Sequence, residues 1–450
     1  MQQFTTFNIR WYTWDTQTCT ARFQYDFDNK KHFEEVIDFS HPDFEVQSYV
    51  EKQDVVSLLF HTALAFGASY YKAFPTKTIV VHTWYLSQEQ SDHRTNFYRH
   101  SLSEFFFVNK LDPKDLCVFQ SQSSLTHTPV RHKPRSRALV PIGWWKDSCV
   151  SVEICKKKHI DFDIFTFGKA YILHKSVADV ICQNSDTNWL VVKRTIDPVL
   201  FEMNDAWYYN WHVSITWLIA FASLVVAYLY DYKRIVLSNE KSANYGNTTR
   251  KWFEVNHQYS KSLEFEQWFK AYTGTYVVSG VSYFSLLRWW YEIAIAKQFA
   301  QYPHYFTKAS SCNKNFLLTK STTKRRCCAC PKCAFVFAML RPYITHQQML
   351  DIFWEDLFAN EWLADLFKEL LWIKAIKPLE CVWTPEEVSL AMYKCLTLYQ
   401  NKDTPLPVIL DMFVQESMKN KDTIYFDALE QEYFRWYDEH IIPDSFLPVD

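Results

Sequence analysis

Between residues 4 and 39 apolar and polar positions alternate, as in FNIRWY and CTARFQYDF. A period of two buries one face of each stretch and predicts a half-buried antiparallel hairpin or meander. The period then lengthens. Val50 to Tyr71 carries apolar residues at helical spacing, with Gly67 near its end, and predicts a helix. KTIVVHTWYL reads as a strand, and the polar, basic, proline-bearing stretch from Ser121 to Arg137 as a loop or linker.

From Arg137 strands and helices alternate. RALVPI is a strand, CVSVEICKK starts a helix, FDIFTFG and WLVVKR are strands, TWLIAFASLVVAYLY is a helix, and KRIVLS is a strand. Such alternation predicts an α/β fold with a doubly wound, mainly parallel sheet, whose ligands bind at the carboxyl ends of the strands. After about residue 300 the pattern is helical. Thr345 to Gln348 and Thr384 to Glu387 both fit a capping box. The expected division is a β-rich part over 1–135, a nucleotide-binding part over 136–300, and a cysteine-bearing, helical part over 301–450.

Composition narrows the class. The chain is 48% hydrophobic and 22% charged, as in ordinary globular proteins, and its formal net charge of −2 offers nothing global to nucleic acid or an anionic membrane. The longest apolar run, Trp217 to Tyr230, is 14 residues, too short to span a bilayer. No secretion signal is visible, so the twelve cysteines point to a reducing, cytoplasmic setting, where clustered thiols are more often metal ligands than disulfides.

Two counts stand out: 6 glycines and 18 tryptophans in 450 residues, against a usual glycine share of about 7%. Several tryptophans occupy places where glycine is expected. Asn188-Trp189 and Asn210-Trp211 would be turn signals with glycine second, while Trp354 and Trp372 follow helical stretches at a position that favours a left-handed residue. We read many of these tryptophans as standing for glycine, as when a UGA codon that specifies glycine is translated by a table that gives tryptophan. UGG codons at Trp144 and Trp145 would end that reading.

The stretch PIGWWKDS, 141–148, follows an apolar strand and precedes a helix. Backbone N–H groups at such a junction bind anions if phosphate oxygens can reach them. Glycine at Trp144 and Trp145 would make it GGGKDS, which resembles the pyrophosphate loop of ATP pyrophosphatases. That resemblance implies that Gly143, positions 144 and 145, Lys146, Asp147 and Ser148 hold ATP, with Asp147 also on Mg²⁺. VLSNEKSANYGN, 236–247, ends a strand and offers Ser238, Asn239 and Glu240 to nucleotide or substrate. Arg194 and Asp197 follow another strand, and Arg194 suits a carboxylate or phosphate of the substrate. Cys312, Cys327, Cys330 and Cys333 can surround one ion. Zinc is the simplest reading, an iron–sulfur cluster the rival.

With these stand DAWYYNWHVSIT, 205–216, VNHQYSKSLEFE from Val255, YFSLLR from Tyr283, CPKCAFVF from Cys330 and KPLECVW from Lys377. Together, in this order, they resemble the UDP-N-acetyl-α-D-muramoyl-L-alanyl-L-glutamate epimerase family. The departures are mostly tryptophans, at 144, 145, 207, 211 and 383. The resemblance implies ATP- and Mg²⁺-dependent inversion of the terminal L-glutamate of UDP-MurNAc-L-Ala-L-Glu, through an acyl-adenylate, in peptidoglycan precursor synthesis. His212, His257, Tyr259 and Glu264 lie in or beside the family-like stretches and are the candidates for the base. Two rival readings remain: an ATP-dependent RNA-modifying or amide-forming enzyme, and a non-catalytic zinc module contacting nucleic acid through its basic loop.

Overall fold

The computed structural model describes the chain except residues 1–2, 122, 125–127, 144, 169–170, 184, 251, 313, 315–324, 375–378, 381–383, 400–404, 420 and 448–450. Trp144, Trp383 and most of the KPLECVW stretch therefore lie outside the described residues.

The ends of the strands decide where chemistry can sit. Ten strands form one sheet in the order Ser282–Ser285, Arg234–Leu237, Ala138–Pro141, Phe162–Phe167, Trp189–Thr195, Lys31–Asp38, Thr20–Phe27, Thr6–Asp15, Thr78–Val81 and Val118–Phe119. The first five are mutually parallel. Val36, Ile37 and Asp38 then pair antiparallel with Thr195, Arg194 and Lys193, so the predicted N-terminal hairpins continue the same sheet. Its far edge is parallel again. The fold is mixed α/β with a mostly parallel sheet, as the alternation of elements predicts.

Alternation along each strand feeds two cores. Leu139, Phe165 and Ile235 pack in one, with the helices Lys52–Phe66 and Ile215–Tyr230. Val140, Ile164 and Val236 pack in the other, with the helices Lys146–Lys157, Glu292–Phe299 and Pro331–Leu340. Helices thus cover both faces, which explains why the parallel strands read as near-continuous apolar runs. Among the described residues no helix is long and apolar enough to cross a membrane.

The tryptophans divide into two groups. Trp207, Trp354 and Trp372 have φ of 63°, 50° and 56°, the left-handed region that favours glycine, and each ring is at least half exposed. Trp354 caps the helix His346–Phe353. The left-handed backbone costs a side-chain-bearing residue about 1–2 kcal/mol, so Trp354→Gly is expected to raise stability by about 1 kcal/mol in urea denaturation. Trp189 and Trp211 differ. No turn forms at Asn188, because its main-chain and side-chain N–H groups both donate to Asp163 Oδ1, at 2.9 and 3.1 Å, and pin the start of a strand. The indole of Trp189 donates to Thr166 Oγ1 at 3.0 Å, and that of Trp211 to Glu104 Oε1 at 2.6 Å. Two further readings need correction. The strand in KTIVVHTWYL ends at Val81. Thr345 and Gln348 form the expected reciprocal cap, whereas Thr384 accepts from the Glu387 N–H but the Glu387 carboxylate turns inward.

Candidate functional site

Three neighbouring parallel strands each deliver a carboxylate beyond their carboxyl ends. Asp147 follows Ala138–Pro141, Glu240 follows Arg234–Leu237, and Glu292 follows Ser282–Ser285. All three side chains are buried, and one oxygen from each lies within 4.8 Å of the others. Three carboxylates so close repel one another and need cations. Lys146 supplies one: its Nζ contacts Asp147 and lies 2.5 Å from Glu292 Oε1. Lys332 supplies another, with Nζ 4.0 Å from Glu292. Among the described residues, Glu240 Oε1 and Ser238 Oγ are buried with no hydrogen-bond partner. Asn239 donates to Ser285 Oγ at 2.9 Å and braces this loop.

A fourth carboxylate comes from the C-terminal helices. Glu387 accepts from the Ile293 N–H at 3.0 Å and from Ser242 Oγ at 2.8 Å. Burial, then the charge of Glu292, pushes its carboxyl up to about 8, and burial pushes Glu240 up to about 7. Both ordinarily titrate at 4.5. Between that value and pH 7–8 the folded chain holds protons that the unfolded chain has lost, so stability falls as pH rises through this window. Glu387→Gln removes one such proton. Without added divalent ions, wild type is expected to lose roughly 3 kcal/mol more than the variant between pH 5 and pH 8.5 by chemical denaturation.

The loop at 143–148 leads into the helix Lys146–Lys157, whose first turn has no side-chain cap among the described residues. Its donors are therefore disposed as an anion site requires. Ser148 Oγ donates within the loop, toward the Gly143 and Trp145 carbonyls at 3.2 and 3.0 Å. The Trp145 indole covers Gly143: a Cβ there would meet Trp145 Cδ1 at 3.1 Å. Lys332 and Lys261 face the same ring, with Nζ 4.3 and 5.3 Å from its centroid. The indole thus fills space bordered by two cations, the helix start and the carboxylates.

Beside this lies a second group. His257 Nδ1 is hydrogen-bonded to Glu104 Oε2, and Trp211 donates to the other oxygen of that carboxylate. The ring of His212 stacks on His257 at 4.3 Å. With Nδ1–H held by Glu104, the basic lone pair of His257 is on Nε2. Arg288, fully buried, ties this segment to the acidic cluster, donating to the Glu240 carbonyl and to the Lys261 carbonyl, each at 2.6 Å. The charge of Lys261 acts on both Glu240 and His212. Tyr259 and Glu264, hydrogen-bonded at 3.1 Å, line an adjoining cavity of about 260 Å³ with Asn244, Asn256 and Ser262.

Arg194 and Asp197 have their partners at the hairpin seam. Arg194 is ion-paired with Glu35 and donates to Ser69 Oγ at 2.8 Å. Asp197 caps the helix Pro198–Asp205 and accepts from the Glu34 N–H at 2.7 Å. The four cysteines Cys312, Cys327, Cys330 and Cys333 converge. The sequence alone does not single out Glu292, Glu104 or Lys332, and it marks Glu387 only as part of a helix cap. A strand followed by a helix opening on Glu292 was the available signal for the first of them.

Comparison with known proteins bears on this arrangement. The sequence matches the family models described as MurL N-terminal domain over residues 1–286 and MurL C-terminal domain over residues 308–424. It is 31% identical over 393 residues to the UDP-N-acetyl-alpha-D-muramoyl-L-alanyl-L-glutamate epimerase of Xanthomonas oryzae pv. oryzae (strain MAFF 311018), covering 87% of this chain and 85% of that one. It is also 31% identical over 411 residues to the protein of the same name from Micromonospora sp. (strain ATCC 39149 / NRRL 15099 / SCC 1413), covering 90% of each.

Proposed function

Because the chain belongs to the MurL family, whose relatives are named UDP-N-acetyl-alpha-D-muramoyl-L-alanyl-L-glutamate epimerases, we propose that it inverts the terminal L-glutamate of UDP-MurNAc-L-Ala-L-Glu with the help of ATP and Mg²⁺. The observation supporting a nucleotide-dependent reaction is the convergence of Asp147, Glu240 and Glu292 beside an uncapped helix start at the strand ends. An all-oxygen donor set, with a Glu240 oxygen that has no hydrogen-bond partner among the described residues, suits Mg²⁺. Lys146, Lys332 and Lys261 suit phosphate charge, and the loop amides suit pyrophosphate once the Trp145 ring no longer covers Gly143.

The chemistry requires activation. The α-proton of a glutamate beside a carboxylate is very weakly acidic, because the carbanion would adjoin a negative charge. Transfer of AMP to that carboxylate, with loss of pyrophosphate, removes the charge and leaves an acyl-adenylate. His257 then takes the α-proton on Nε2, and Glu104 holds the ring in that tautomer and stabilises the imidazolium. Return of a proton to the opposite face, followed by hydrolysis, gives the D-residue and AMP.

The test supplies UDP-MurNAc-L-Ala-L-Glu, ATP and Mg²⁺ to protein carrying glycine at 144 and 145, and to the chain as given. Glutamate chirality is read after acid hydrolysis. D-glutamate is expected from the glycine-bearing protein. L-glutamate alone, beside an active relative as control, would refute the proposal.

A further inference from the structure

Four sulfurs lie together outside the carboxylate site. Cys312, Cys330 and Cys333 are buried and Cys327 is half-buried, and their sulfurs all fall within 4.8 Å of one another. The Cys327 and Cys333 sulfurs are 3.9 Å apart. Four sulfurs placed tetrahedrally about 2.3 Å from a central ion define edges of about 3.8 Å. The spacing therefore fits a single ion. A multi-iron cluster needs its cysteines spread around several irons and sulfides, for which this group is too tight. Cys328 behaves differently, although it is adjacent in sequence. Its thiol turns away and donates to the Phe353 carbonyl at 3.0 Å.

We propose that Cys312, Cys327, Cys330 and Cys333 hold one structural zinc ion. Its charge suits the surroundings: four thiolates and Zn²⁺ carry a net double negative charge, and the buried guanidinium of Arg326 acts on Cys333 and Cys312. Arg326 is fixed by donation to the Ala309 carbonyl at 2.6 Å and to the Ile352 carbonyl at 3.1 Å. All four positions on the ion are protein ligands, so it has no open site for catalysis. Its role is to position a neighbour. Cys330 stands at the N-cap position and Cys333 in the first turn of the helix Pro331–Leu340, and Lys332 between them reaches Glu292 and the Trp145 ring. The ion sets the start of that helix and so the place of Lys332.

Elemental analysis of the full chain, purified from zinc-supplemented medium, is expected to find one zinc per chain. Cys312→Ser and Cys333→Ser should each lower zinc content at least tenfold, while Cys328→Ser should leave it unchanged. A second measurement guards against variants that fail to fold. Titration of the wild-type protein with a mercurial should release zinc in step with thiol modification, and Co²⁺ exchange should give the intense visible bands of a tetrahedral thiolate site. Metal-free protein with native circular dichroism would overturn the proposal. So would bound iron, or loss of zinc on Cys328→Ser with retention on Cys333→Ser.

Discussion

With glycine at both 144 and 145, the protein is expected to bind Mg·ATP at least a hundredfold more tightly than the chain carrying tryptophan there. The reason is steric and electrostatic together. In the present structure the Trp145 indole lies against Gly143, beside the start of the helix Lys146–Lys157, in space that a phosphate on this loop would need. The same ring engages Lys332 and Lys261, cations that a triphosphate would otherwise attract. A cation–π contact is worth about 0.5–2 kcal/mol. Removing the ring thus costs the unliganded protein a little stability and releases both lysines from that contact. A hundredfold change corresponds to about 2.7 kcal/mol, within reach of a few charge-assisted hydrogen bonds. Isothermal titration of both proteins decides the matter. Trp145→Phe, which keeps a ring in place, should gain nothing. Equal affinity of the tryptophan and glycine forms would show that the indole is no obstacle.

His257→Gln in the glycine-bearing protein is expected to slow exchange of the substrate α-hydrogen about a thousandfold, with pyrophosphate release within threefold of the parent. General-base catalysis contributes 10²–10⁴ in rate. The side chain lies beside, not within, the carboxylate cluster, so activation and proton removal should separate. Deuterium incorporation in D₂O, read by mass spectrometry, reports proton removal; a coupled assay reports pyrophosphate. Glu104→Gln should lower exchange less, because it leaves the imidazole but loses the charge that holds its tautomer. Undiminished exchange in His257→Gln would remove this residue as the base.

Much of the frame was legible because it is local. Period-two alternation marked the hairpins, and strand–helix alternation marked the parallel block. The loop at 143–148 and the cysteines announced themselves by spacing. What escaped detection depends on contacts between distant residues. Glu104 and His257 are 153 residues apart in sequence, and no periodicity links them. Glu387 sat in a sequence that reads as a cap, and only burial against Ile293 and Ser242 gives it another part. Lys332 was hidden by its neighbours, since CPKC draws the eye to its cysteines. Arg194 shows the converse. Its strand end looked open, yet Glu35 from a hairpin paired alongside occupies it.

The reach of Glu387 into the carboxylate cluster has a bearing on synthesis of the protein. A ribosome that has released residues up to Leu370 has delivered every strand of the sheet, but not the carboxylate that meets Ile293 and Ser242. Nor has it delivered Glu439, which pairs with Lys241 at 2.6 Å, or Phe446, packed on Phe284. These contacts form only once the helices beyond Leu370 have emerged. The proposed nucleotide site is thus completed only after residues beyond Leu370 have been made.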